Sequence, residues 1–325
     1  MGILVSGYGG IAWHPEKGSE PSWEEQAAGT SYCAAGDGML FAAEERADGG
    51  AVRLYRPCGN GWELRNCMAI SGSELCHLAY SPKQKTLLGA CYGSGHVVAV
   101  TVDEQCCRFR DAGRSLRQEP VRAAGETRAH SVLLNAAEDA VYSANIAQDC
   151  VYCYSFSGGT LSETGQILLP EGVGPRHLLL REDLNKMYVI TEYSSEIIVL
   201  NLEKTGNPVL QRISTLQDKC ELKSYCSTLA FSPDGRFLYA ANRGENTLAV
   251  FEADADGMLS FSSRQSCFGD WPRDFALLDR GALVGIANQK SDEAVFCPRD
   301  AVTGRIGEPV WRTHLEGASC IRELP

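Results

Sequence analysis

No run of apolar residues in this chain is long enough to cross a bilayer. Its 325 residues are 44% hydrophobic and 22% charged, and nothing approaches the roughly 18 to 20 consecutive apolar residues of a spanning helix. Membrane insertion is excluded. Positive charge is also scarce: 30 Lys and Arg face 41 Asp and Glu, a net charge of −11, whereas nucleic acid or an anionic membrane would demand a basic face. The opening residues Met1-Gly2-Ile3-Leu4-Val5-Ser6 lack the basic region and cleavage site of a signal peptide, so the expected location is the cytoplasm. Missing too are a Gly-x-Ser-x-Gly elbow, a His-Glu-x-x-His pair and a P-loop, and Gly93-Ser94-Gly95 opens no helix that could hold a phosphate. Serine hydrolases and nucleotide-binding proteins are thereby set aside. Helical signals are sparse, with Ser22 to Ala28 the one stretch that carries any. Cysteine is plentiful at 14 but irregularly spaced in a long chain, which points to reduced thiols. Cys150 and Cys153 fall in a strand pattern that turns them to opposite faces, a poor metal clamp. No carboxylate cluster is dense enough to demand calcium, so no metal is expected.

What the chain does have is a recurring phrase. It reads Tyr142-Ser143-Ala144-Asn145, Tyr188-Val189-Ile190-Thr191 and Tyr239-Ala240-Ala241-Asn242, more loosely Phe41-Ala42-Ala43-Glu44 and Gly285-Ile286-Ala287-Asn288. Copies about 45 to 50 residues apart match the period of four-stranded propeller blades. The residue after the phrase changes chemistry each time: Glu45, Tyr92, Ile146, Glu192, Arg243, Gln289. A constant frame carrying one variable position presents a set of side chains.

The clearest copy sets Ser227–Phe231 before Ser232-Pro233-Asp234-Gly235 and then Phe237–Asn242, a β-hairpin by its turn chemistry, followed by a third strand over 247–251. The same skeleton spans 31–55, 76–100, 130–154, 176–200 and 273–296, giving six blades. A seventh would pair residues 3–8 with 319–322 and close the ring between the two ends of the chain. The fold predicted is all-β, a seven-bladed β-propeller forming one domain over 1–325. A pair of β-sandwiches is the alternative that strand alternation alone leaves open.

Hairpin geometry brings the start of the first strand beside the end of the second, at the end away from the turn. One rim therefore gathers His77, His130, Arg176, His177 and Arg273 with Glu45, Glu192, Arg243 and Gln289, and with Asn145, Asn242 and Asn288 one residue earlier. Arginines at 176, 243 and 273 suit carboxylate or phosphate oxygens and a developing oxyanion, and Glu192 or His130 could accept a proton. The pattern supports attack on an activated carbonyl beside anionic groups.

At these residues the chain resembles a known family. Gly174-Pro175-Arg176-His177-Leu178, Ser232-Pro233-Asp234-Gly235-Arg236-Phe237-Leu238-Tyr239, Asn242-Arg243-Gly244, Trp271-Pro272-Arg273-Asp274-Phe275 and Ala287-Asn288-Gln289 look like the seven-bladed propeller lactonases, which include propeller-type 6-phosphogluconolactonases and carboxymuconate cyclases. The resemblance implies hydrolysis of a small anionic lactone, 6-phosphoglucono-1,5-lactone above all, without an organic cofactor. It also implies catalytic roles for His130, Arg176, Glu192 and Arg243. His77, His177, Arg273 and Gln289 would then position substrate. Two positions depart from the family's pattern: Arg128 stands where many relatives carry a His, and Thr191 where an Asn usually precedes the glutamate. The added Arg128 is a candidate phosphate ligand. A cycloisomerase, and a propeller serving only as a binding scaffold, are the two other readings of the same residues.

Overall fold

The computed structural model describes residues 2–110, 113–122, 125–204, 208–216 and 223–324. Seven antiparallel sheets stand around one axis, so the propeller reading holds and the sandwich pair is set aside. Six sheets take their strands consecutively from the chain. In the third, running inward to outward from Leu75–Ser81 through Thr86–Cys91 to His96–Asp103, the outermost position is split between Arg108–Phe109 and Arg114–Arg117. The closing sheet is assembled from both ends: Ala318–Leu324 supplies its innermost strand, and Gly2–Gly7, Gly10–His14 and Trp23–Glu25 the other three. Trp23–Glu25 lies within the one stretch whose sequence carries a helical signal. Its alternating exposure, with Trp23 set opposite Trp13, makes it an edge strand instead.

Innermost strands pack against one another around the axis, and the core lies between neighbouring sheets as clusters of Val, Ile, Leu and aromatic side chains. The phrase occupies each second strand. Tyr188 and Tyr239 are fully buried, and their hydroxyls donate to the carbonyls of Gly257 and Gly304 in neighbouring sheets. The Ser232-Pro233-Asp234-Gly235 turn is built as its chemistry dictates: the Gly235 N–H donates to Ser232 O at 2.8 Å, with Gly235 at φ +70°. It lies on the face opposite the predicted rim.

Asn145, Asn242 and Asn288 end the phrase but do not join the channel mouth. Their amides point sideways, donating to Gln118 Oε1, Thr215 O and Cys267 O, each just beyond the outer strand of the preceding sheet. They latch blade to blade. A buried amide meets its donors and acceptors in the neighbouring sheet more fully than in the channel, so the rim set is smaller than the sequence pattern implied.

Candidate active site

Five innermost strands enter the ring through a β-bulge. The register slips between Leu75 and His77, Ala129 and Ser131, Pro175 and His177, Cys226 and Leu229, and Pro272 and Asp274. Ordinary alternation would send consecutive side chains to opposite faces, but a bulge re-aims one of them. Arg176 and His177, and likewise Arg273 and Asp274, therefore all line one narrow cleft on the axis, together with Tyr32.

The Gly174-Pro175-Arg176-His177 motif is fixed from outside. The Asp149 carboxylate accepts the N–H of Gly172 at 2.8 Å and of Gly174 at 2.7 Å. Gly174 has φ +65°, and a Cβ there would fall 2.6 Å from the Tyr193 ring. Only glycine meets both conditions.

Around the cleft the side chains form two charged groups. Glu192 Oε2 accepts from Arg176 Nε at 3.1 Å and pairs with Arg243 Nη2 at 2.6 Å, while Arg176 also donates to the carbonyl of Ser227. Arg243 donates to the carbonyls of Tyr225 and Cys226. Elsewhere on the mouth, Arg273 pairs with Glu45 at 3.2 Å, and the Tyr8 hydroxyl donates to the same carboxylate at 3.0 Å. His177 links the layers: its ring centroid lies 5.0 Å from that of His77 and 5.5 Å from that of His130. His130 is 5% exposed, and its Nδ1 has no hydrogen-bond partner among the described residues. A buried polar atom left unpaired on a lined cleft is where a ligand or water would complete the set.

Residues 17–323 match the family model described as lactonase, seven-bladed β-propeller. The chain belongs to this family of lactonases. It is similar to the 6-phosphogluconolactonase of Bacillus subtilis strain 168, 30% identical over 306 residues that make up 89% of this chain and 85% of that one. It is also similar to the 6-phosphogluconolactonase of Formosa agariphila, at 27% over 202 residues, 59% of this chain and 57% of the other. Among solved structures, the periplasmic gluconolactonase of Pseudomonas aeruginosa shares the fold with a TM-score of 0.90 over 99% of this chain and 98% of that one, at 23% identity.

In this lactonase the electrostatics of the cleft follow from burial among like charges. Burial lowers the basicity of His130, and Arg176, Arg273 and Arg243 lower it further, so the imidazole is neutral at physiological pH. His177 is held down by burial and then by Arg176, and His77 is lowered to about 3 by burial, Arg322 and Arg176. Burial and the neighbouring Arg243 also push Arg176 down while Glu192 pulls it back, and the guanidinium stays charged. Arg273 moves the other way: burial acts to lower it too, but the paired Glu45 carboxylate, with Glu192 farther off, more than offsets that.

Not every residue of the predicted rim joins this cleft. Gln289 sits on the mouth, half-buried, its backbone N–H donating to Trp271 O, and its side chain makes no hydrogen bond among the described residues. Arg128 lies farther out: its guanidinium covers the Tyr92 ring at 4.8 Å, donates to the Tyr92 hydroxyl at 2.8 Å and pairs with Glu126. It reaches the cleft through Tyr92, whose ring meets the His130 ring edge-on at 5.7 Å.

Four residues escaped the sequence reading. Tyr8 holds the variable position of the closing blade, where Leu4-Val5-Ser6-Gly7 does not spell the phrase, although Tyr8 N bonds Gly317 O as Glu192 N bonds Gly174 O. Tyr32 and Thr228 each follow a serine, Ser31 and Ser227, which carries no charge signal. Arg322 comes from the last strand and pairs with Asp274 at 2.8 Å.

Proposed function

We propose that this lactonase hydrolyses a sugar lactone bearing an anionic substituent, 6-phosphoglucono-1,5-lactone first, to the open-chain acid. The observation that carries the reading is the pairing of a neutral, buried His130 whose Nδ1 lacks a partner with the Arg176–Glu192–Arg243 group across the same mouth. The similarity to 6-phosphogluconolactonases supports the choice of substrate, and the place we assign to the reaction is the cytoplasmic pentose phosphate pathway.

Water attacks the ring carbonyl carbon as His130 takes one of its protons. Arg176 and Arg243 stabilise the oxyanion, the bond from that carbon to the ring oxygen breaks, and His130 returns the proton to that oxygen. The acid formed ionises to the carboxylate. Glu192 acts as holder rather than base, because its carboxylate already accepts from two guanidiniums and fixes them toward the substrate. Arg273, braced by Glu45 and Tyr8, takes the anionic substituent, with His77, His177, Gln289 and Arg128 shaping the rest of the mouth. Binding that anion offsets the field of the arginines and makes His130 a stronger base when substrate is present.

Hydrolysis in heavy-oxygen water tests the reaction class. One solvent oxygen in the product carboxylate is the expected result; a lactone isomerised or opened with no label would assign the site to a cycloisomerase.

A further inference from the structure

Below the cleft, the channel continues as a second cavity that the proposed reaction does not use. It has a volume of about 370 Å³ and runs toward the hairpin-turn face between Leu133, Leu179 and Leu229. Tyr32 and His177 line both spaces and form the floor between them.

The hydrogen-bond directions at that floor are fixed. Arg176 can only donate, so at 3.3 Å from Nη1 the Nε2 of His177 accepts and its proton sits on Nδ1. That proton goes to Thr228 Oγ1 at 3.0 Å, which leaves the Thr228 O–H without an acceptor among the described residues. His77 repeats the logic: Val132 N–H donates to its Nδ1, so its Nε2 donates to the Tyr32 hydroxyl at 2.9 Å and leaves the Tyr32 O–H free. Ser131, 2% exposed on the same wall, has a hydroxyl with no partner among the described residues. Three hydroxyl donors thus face one cavity, with the Arg322 guanidinium 4.5 Å from the centre of the Tyr32 ring and Arg176 behind His177.

We propose that this cavity is a second ligand site for a short aliphatic monocarboxylate. The carboxylate, an acceptor only, would take the Tyr32, Ser131 and Thr228 hydroxyls under the field of Arg176 and Arg322, and the alkyl chain would lie along the leucines. The volume is in the range of small-molecule pockets, about 300 to 1,000 Å³. The site is separate from the lactone cleft and stands whether or not the hydrolysis assignment does.

Titration calorimetry with n-octanoate on the whole protein tests it. The expected result is one site per chain, weakened at least about tenfold when n-octanol replaces the acid or when Ser131→Ala and Thr228→Val are combined, each tenfold being 1.4 kcal/mol. Leu179→Trp, which fills the tube without touching the donors, should abolish binding, and 6-phosphogluconate should not displace octanoate. No binding at millimolar octanoate, equal binding of the alcohol, or displacement by 6-phosphogluconate would overturn the proposal.

Discussion

Arg176 makes the contacts on which the cleft depends: Glu192, the Ser227 carbonyl and the His177 ring. Arg243→Ala removes the neighbouring guanidinium while Arg176 still holds Glu192, so it should lower kcat/KM by about 10² to 10³, the range for losing one oxyanion donor. Steady-state kinetics beside an unchanged circular dichroism spectrum checks this. His130 and His177 predict a pH dependence of stability. Their folded pKa values lie below the unfolded 6.5, so the unfolded chain binds the extra protons. The stability they lend is complete above about pH 6.5 and drains as pH falls, at about 1.4 kcal/mol per unit for each buried histidine. Urea midpoints at pH 7.5, 6 and 5 should fall in that order, and a flat series would contradict the neutral burial of these rings. At this scale the sequence disclosed the charged residues, because arginines and histidines recur at the start of first strands. It did not disclose Tyr32 or Thr228, whose part arises only when hydrogen-bond directions are traced through two histidines.

Bulges and latches carry the argument at the scale of the strand. Strand alternation, applied to the sequence, cannot place both Arg176 and His177 in the channel; the register slip between Pro175 and His177 does. That slip leaves no mark in composition, although the Gly174-Pro175 entry marks where it begins. Gly174→Ala combines a positive φ with a Cβ only 2.6 Å from the Tyr193 ring, and should destabilise by about 1 to 3 kcal/mol while displacing Arg176. A fall in both the urea midpoint and kcat/KM is the expected signature. Asn242→Ala separates the two: it removes the amide's bond to the Thr215 carbonyl, to which Arg264 still donates, and should cost about 0.5 to 1.5 kcal/mol in urea unfolding, with much less effect on kcat/KM than Arg243→Ala next to it. The phrase-final asparagines looked functional in the sequence because they recur beside the variable position. In those three blades they make the same latch to the preceding sheet instead.

For the whole molecule, the period of the phrase pointed to the ring, the repeated three-strand skeleton gave six blades, and the two ends of the chain gave the seventh and its closure. The innermost strand of the closing sheet is Ala318–Leu324, which also brings Arg322 into the channel. The net charge of −11 makes the cationic mouth a local exception, since charges beyond about 8 to 10 Å are screened at physiological salt. On the proposed function, an anionic lactone would be held by what the cleft presents and not by the field of the molecule. The most direct measurement of that claim is the rate of 6-phosphoglucono-1,5-lactone hydrolysis above its spontaneous background, for the protein and for Arg176→Ala. A kcat/KM of about 10⁴ M⁻¹s⁻¹ or more that falls at least about a hundredfold in a folded variant is the predicted result. A rate no greater than background, or one that Arg176→Ala leaves intact, would contradict it.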